Sequence, residues 1–167
     1  MKDIIISALS ALPLQSIWLL FERARIRRLC RRLAHCGERV TISQGFYAEA
    51  PATISIDDDA SFAPGVSIMG VGGCRIGANA MIASGVMILT TTHDRTAPVM
   101  RDTGLHRPVL IESNSWIGAG AILLPGSIVR AGAIVGAGAV VTSEVLPDQV
   151  VAGVPARFVF ERTSAAR

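Results

Sequence analysis

The stretch IGAGAILLPGSIVRAGAIVGAGAVV, residues 117–141, decides how this chain folds. It is almost all Gly, Ala and aliphatic residues, with Arg130 as its single charge. A helix interior does not suit it, because each Gly there costs roughly 1 kcal/mol against Ala. Its greasiness hints at a membrane span, yet Gly, Pro125 and Arg130 sit inside it. Counting by six resolves the pattern. Ile117 opens a series that continues at Leu123, Val129, Val135 and Val141, and one step back lies Ile111. Upstream the beat returns at Ile76, Ile82 and Ile88, and again at Ile56, Phe62 and Ile68.

All of these first places are apolar. The fourth places are Asp59, Gly65, Val71, Asn79, Gly85, Thr91, Asn114, Gly120, Gly126, Gly132, Gly138 and Glu144, nine of them Gly, Asn or Asp. Those are the residue types that accept turns and positive φ. The fifth places are small or short, from Ala60 and Ala80 to Ser115, Ala121, Ser127, Ala133 and Ala139. Short flat strands joined by sharp corners meet all three demands. First-place side chains point inward, fifth-place residues sit where only a small group fits, and three units close one triangular coil. A period of six is not helical, since 3.6 residues per turn would smear it around the cylinder. A Gly/Ala-rich sandwich needs longer strands and irregular loops. The expected fold is all-β, a parallel β-helix.

Composition agrees. The chain has 167 residues, 50% hydrophobic but only 5% aromatic, so its core is built from small and aliphatic side chains. Cys30, Cys36 and Cys74 form no CxxC pair, which fits buried small hydrophobes in a reducing compartment. The net charge of +3 is unevenly spread. Residues 1–36 hold Lys2 and six Arg against Asp3 and Glu22, while the remainder holds nine Arg against eleven acids. The basicity is local to the N-terminus and is not a nucleic-acid footprint.

RIGANAMIASGVMILTTTHD, WIGAGAILLPGSIV, AGAVVTSEV and VVAGVPAR resemble the hexapeptide-repeat acyltransferases, in particular the sugar O-acetyltransferases. The likeness covers about residues 54–157, in motif order as well as period. It implies a left-handed parallel β-helix of hexapeptide repeats with an N-terminal helical segment and one protruding loop. It also implies a homotrimer with sites between neighbouring subunits, and transfer of acetyl from acetyl-CoA to a saccharide hydroxyl without a metal. The organisation expected is a helical segment over 1–36, the repeat domain over 37–146 with a loop at 94–108, and a closing segment over 147–167.

The regular units stop at TTTHDRTAPVMRDTGLHRPVL, and an excursion of this length is usually functional or disordered. It starts after His93. Acetyl transfer to an alcohol needs a base, and neutral imidazole, with a reference pKa of about 6.5, takes that proton and passes it on to the departing thiolate. The resemblance places the catalytic base at His93; the competing reading is a corner residue bonded to a neighbouring carbonyl. Asp94 is a candidate to orient the ring, and Asp94, Arg95, Arg101 and His106 are candidate acceptor contacts in the loop. Oxyanion stabilisation falls to a backbone N–H.

For the donor, the resemblance implies backbone contacts at Ala119 and Ala137, with Thr142 and Ser143 near the adenosine and Trp116 close to the reaction centre. Arg157 falls where a basic residue meets the nucleotide phosphates, which its rigid fork suits; Arg162 is a weaker candidate. Ser143 stands where the family usually has Lys. Pro64 and Gly65 stand where galactoside-type relatives carry an acceptor-contacting Asn, which turns the expectation toward surface-polysaccharide or lipid-linked saccharides. Zinc hydration chemistry also occurs on this fold, but His35, His93 and His106 show no ligand spacing. An N-acetyltransferase of an amino sugar and a catalytically silent scaffold are the alternative functions.

Residues 4–21 are uncharged, and six Arg follow between 23 and 32. Pro13, Gln15 and three serines argue against a clean span, and no small-x-small cleavage site follows the run. Two helices broken near Pro13 are expected, the second reaching about Ala34. It either packs on the coils or lies on an anionic membrane through residues 4–34, with Trp18, Phe21 and the Arg cluster. A cytoplasmic location follows from the cytosolic donor.

Overall fold

The structure, a computed structural model, describes residues 14–163, with side chains from Phe21 onward. Two compact units divide at Arg32/Leu33. The first contains helix α1 (Leu14–Cys30), which carries Arg27 and Arg28 in its last turn, where the helix dipole favours cations. Arg25 pairs with Glu22 at 2.9 Å. The helix ends short of the expected Ala34, because the amide of Ala34 already bonds the carbonyl of Ile54 in the second unit's ladder. The helix expected ahead of Pro13 lies outside the described residues. Among the described residues no helix is long and apolar enough to cross a membrane.

The second unit is a three-faced parallel β-helix. The first face stacks β1 (His35–Cys36), β4 (Ile54–Ile56), β7 (Cys74–Ile76), β12 (Val109–Ile111), β15 (Ile128–Val129) and β18 (Glu144–Val145). The second stacks β2 (Thr41–Ile42), β5 (Ser61–Phe62), β8 (Met81–Ile82), β13 (Trp116–Ile117), β16 (Ile134–Val135) and β19 (Gln149–Ala152). The third stacks β3 (Tyr47–Ala48), β6 (Ser67–Met69), β9 (Met87–Leu89), β14 (Ile122–Leu123) and β17 (Val140–Val141). β20 (Arg157–Glu161) folds back antiparallel on β19. Register runs Ile56↔Ile76, Ile76↔Ile111 and Ile111↔Val129. The repeat domain therefore begins at His35, ahead of the expected residue 37. It extends to Ala152, past the expected 146, because β19 is still a parallel rung on β16.

The hexad places behave as expected. Every first-place residue from Ile56 to Val141 is at most 2% exposed. All nine Gly, Asn and Asp at fourth places have positive φ, from Asn114 at 56° to Gly126 at 87°. Val71, Thr91 and Glu144, the other fourth places, do not take that conformation. Ten of the twelve fifth places are buried; Gly72 and Thr92, the exceptions, fall where the beat breaks. The two buried fifth-place serines are satisfied. Ser115 Oγ donates toward the carbonyls of Glu112 and Arg130, and Ser127 Oγ toward those of Leu124 and Val141. Cys74 is fully buried, and burial pushes its thiol pKa up to about 12, as befits a packing residue.

Outside the prism the coils are tied by charge. Arg130 bonds Glu112 at 2.8 Å and also Glu144, and the second Glu112 oxygen accepts the Ala131 amide at 3.0 Å. These bonds, the Arg130 guanidinium first, hold the Glu112 carboxyl below its ordinary value. A carboxyl lowered in the folded state contributes stability above its unfolded pKa and loses it as pH falls through the folded one. Glu112→Gln should flatten that acid-side decline when melting temperature is followed from pH 7 down to pH 3; an unaltered slope would show that the pair contributes nothing. Crowding at the fifth place is testable too. Ala121→Leu should cost about 1–3 kcal/mol by overpacking, whereas Ile122→Leu, half-buried and facing outward, should stay within about 0.5 kcal/mol. Denaturant unfolding distinguishes the two, and equal losses would mean the fifth place has room.

Candidate active site

At one corner the prism opens to let out an arm. Thr90 is the last residue inside: it is buried, and its amide and hydroxyl both donate to the carbonyl of Met69. β10 (Thr91–His93) then runs outward and β11 (Gly104–His106) returns antiparallel, with Thr91 opposite His106 and His93 opposite Gly104. The amide of Arg107 closes the base on the Thr90 carbonyl at 2.9 Å. The excursion is thus 91–106 and begins three residues before the expected 94, because the threonines pair across the arm instead of continuing the coil. The eight-residue step between Ile68 and Ile76 belongs to the same feature. Gly72 lies there, and a methyl group on it would strike the carbonyl of Thr90 and the amide of Arg107 at the root of the arm.

His93 sits at the end of β10 and is exposed. Its Nδ1 bonds the carbonyl of Met100 at 2.9 Å. A carbonyl only accepts, so Nδ1 carries the proton and Nε2 presents a lone pair. That same carbonyl accepts the amide and hydroxyl of Thr103, at 3.1 and 2.8 Å, which fixes the short turn Met100–Asp102 beneath the ring. The corner reading and the catalytic reading of His93 therefore describe one arrangement: the carbonyl bond sets the tautomer a base requires. Asp94 does not orient the ring. Its Oδ1 accepts the hydroxyl of Thr96 at 2.7 Å and the amide at 2.8 Å, and these bonds hold its carboxyl below the ordinary value. Arg95 is exposed, and Arg101 pairs with Asp102 at 3.3 Å in the open. His106 Nδ1 meets Thr91 Oγ1 at 3.0 Å.

The donor candidates lie elsewhere on the prism. Ala119 and Ala137 stack one coil apart at the corner between the second and third faces, where the Gly138 amide bonds the Ala119 carbonyl at 2.8 Å. Both are exposed, and Gly85, Gly120 and Gly138 beside them look into open space. This leaves a bare backbone ridge suited to an extended chain. Thr142 and Ser143 are exposed just past β17. Trp116, 47% exposed on the second face, shares a shallow cleft of about 240 Å³ with Asn79, Met81, Asn114, Ile134 and Arg162. Within one chain it stands on a different face from the strand that leads to His93. Arg157 opens β20 and is exposed, while Arg162 donates to the Gly132 carbonyl at 3.2 Å. Among the described residues no cluster of His, Cys, Asp and Glu is placed to hold a metal ion. Met100 is expected among the loop residues that choose the acceptor, but sequence reasoning gives no role to its carbonyl or to the hydroxyls of Thr91 and Thr103. The alternation Thr91, His93 was the available sign of a strand, but the roles of a backbone carbonyl leave no trace in residue identity.

A hexapeptide β-helix that presents an imidazole on an arm is the architecture of a hexapeptide transferase. The family pattern "Bacterial transferase hexapeptide (six repeats)" matches residues 108–143. Nodulation protein L of Rhizobium meliloti (strain 1021) is 43% identical over 75% of this chain and 69% of its own. The galactoside O-acetyltransferase of Escherichia coli (strain K12) is 30% identical over 75% of this chain and 55% of its own. Among solved structures, a hexapeptide-repeat-containing acetyltransferase of Vibrio cholerae O1 biovar eltor, complexed with acetyl coenzyme A, superposes with a TM-score of 0.81 at 26% identity. It covers 86% of this chain and 79% of its own. A galactoside acetyltransferase in complex with coenzyme A gives a TM-score of 0.78 at 26% identity, over 83% of this chain and 70% of its own. The chain belongs to the hexapeptide-repeat acetyltransferase family. It spans about half the length of several curated relatives, including 46% of an acetyltransferase from Dictyostelium discoideum.

The tautomer assignment is measurable. In ¹⁵N-edited spectra of the neutral imidazoles, His93 should show a protonated Nδ1 and a bare Nε2. The opposite pattern would break the link between the arm and the base.

Proposed function

We propose that this protein is an acetyl-CoA-dependent O-acetyltransferase acting on a hydroxyl of a surface-polysaccharide or lipid-linked saccharide, with His93 as general base. One observation carries this reading: the 2.9 Å bond from His93 Nδ1 to the Met100 carbonyl, which leaves Nε2 free on an exposed arm. His93 Nε2 takes the proton of the acceptor hydroxyl as that oxygen attacks the thioester carbonyl. As the carbon–sulfur bond breaks, the same nitrogen returns the proton to the departing thiolate, giving an acetyl ester and a free thiol. The thioester is already activated, so neither a metal nor a covalent acyl-enzyme is required.

The donor lies along the ridge of Ala119 and Ala137, with Thr142, Ser143 and Arg157 toward its phosphate end and Trp116 near the reacting thioester. Relatives of the same fold hold acetyl coenzyme A or coenzyme A, and the open ridge here suits the same extended molecule. The protein works as a homotrimer in which the ridge of one protomer faces the arm of its neighbour. Helix α1 and the turn after it present Arg23, Arg27, Arg28 and Arg31 around one shallow groove, an arrangement suited to peripheral contact with an anionic membrane from the cytoplasmic side.

His93→Ala should lower turnover by about 10²- to 10⁴-fold, the contribution typical of a positioned base, while coenzyme A still raises the melting temperature as it does in the parent. Retained turnover would remove His93 from the mechanism. Product analysis separates an ester from the amide that an N-acetyltransferase would make.

A further inference from the structure

The arm carries a second imidazole on the same side as the first. In an antiparallel pair, directly opposed residues share a face, as do residues two apart along a strand. Thr91, His93, Gly104 and His106 therefore all face one way. Position 104, directly across from His93, has no side chain, and the ring of His106 occupies the room this leaves. A methyl group on Gly104 would lie 3.3 Å from its Cε1 and 3.5 Å from its Nε2. Opposed Cβ positions in such a pair are about 5 Å apart, so the tip of His106 lies beside the His93 side chain.

The partner of His106 Nδ1 is the Thr91 hydroxyl, which can pair with either tautomer of the ring. Thr91 Oγ1 accepts the amide of Val71 at 3.2 Å and meets His106 Nδ1 at 3.0 Å. When the threonine hydroxyl donates to Nδ1, both groups are paired, and the ring proton is left on Nε2. His93 then shows a lone pair and His106 an N–H, side by side. His106 also lines a cleft of about 310 Å³ with Glu49, Met69, Gly70, Val71, Leu89 and Thr91. The carboxylate of Glu49 is held there by the Gly70 amide at 2.6 Å. This cleft belongs to the third face and the corner after it, whereas the bare backbone ridge lies at the corner before that face. With the donor brought to the arm by the neighbouring protomer's ridge, the cleft beside His106 is left for the acceptor.

Resting on the proposed transfer reaction, we infer that His106 selects the acceptor: its Nε2–H donates to the oxygen next to the reacting hydroxyl, so the preferred acceptor carries a vicinal diol and seats its ring in the cleft of Glu49 and Met69. A base alone accepts any hydroxyl. A base and a donor on diagonal positions of one strand pair grip two neighbouring oxygens, and an acceptor that offers one forfeits that hydrogen bond.

The test uses the full chain, acetyl-CoA and a panel of methyl glycosides, each compared with its deoxy analogue lacking the hydroxyl beside the acetylated one. His106→Ala should narrow the preference for the intact glycoside by about tenfold in kcat/KM, the worth of one hydrogen bond to a neutral group, mainly through KM. His106→Gln, which keeps a donor, should recover part of it. Gly104→Ala, whose methyl group pushes the ring by a few tenths of an ångström, should cost a smaller part of the same preference. The ¹⁵N pattern of His106 should be the reverse of that of His93, with the proton on Nε2. Equal losses for intact and deoxy acceptors, or a proton on Nδ1 of His106, would overturn the inference. If no glycoside is acetylated at all, the transferase reading itself fails, and the effect of the methyl glycosides on the His106 signals then decides: unmoved signals overturn this inference as well.

Discussion

The hydrogen bond that ties left-handed corners from coil to coil is the interaction on which the rest of this structure depends. A strand two or three residues long pairs too little backbone to hold a fold. The corners make up the difference. Asn79 donates to Asp58, Asn114 to Ala78 and Gly132 to Ser113 along one edge, each within 3.0 Å, and Gly85, Gly120 and Gly138 do the same along another. With φ positive, the corner amide points along the stack and not away from it, so the ladder continues around the bend. That is why fourth places are restricted to residues that tolerate this conformation, and why fifth places must be small: the chain folds tightly inward immediately after the bend.

Because the fold rests on a local rule, it was legible wherever the rule was kept. The coils from Ile56 to Val141 could be counted directly. The first coil was not, although Cys36, Ile42 and Ala48 occupy its first places, because two of those are small and only Ile42 is fully buried. The step from its last first place, Ala48, to Ile56 is eight residues because the turn Pro51–Thr53 intervenes, so its beat is out of phase with the coil that follows. The end of α1 was misplaced for a related reason. Arg31 to Ala34 are good helix formers, but Leu33 is buried and the Ala34 amide joins the β ladder, so tertiary pairing overrides propensity.

The candidate site divides along the same line. His93 could be found from residue type, the point where the beat stops and the family likeness. What fixes its ring is the Met100 carbonyl, and any residue at position 100 would supply one. Asp94 shows the converse error: proximity in sequence to an imidazole suggested a partner, but its carboxylate closes the Thr96 turn instead.

The arm also explains why the break in the repeat falls where it does. Side chains that point into the prism are apolar or, like Ser115 and Ser127, hydrogen-bonded, so an imidazole has no place inside a coil, whereas outward strand positions such as His35 and Arg75 are exposed. An antiparallel pair standing off the corner keeps the rigidity of a sheet and exposes both faces. It fixes side chains by register, His93 against Gly104 and Thr91 against His106, with a precision that a free loop of the same length lacks. The hexads thus supply a stiff column with a bare edge, and one departure from them supplies the polar groups. His93 and His106 stand where the rule that builds the prism is suspended.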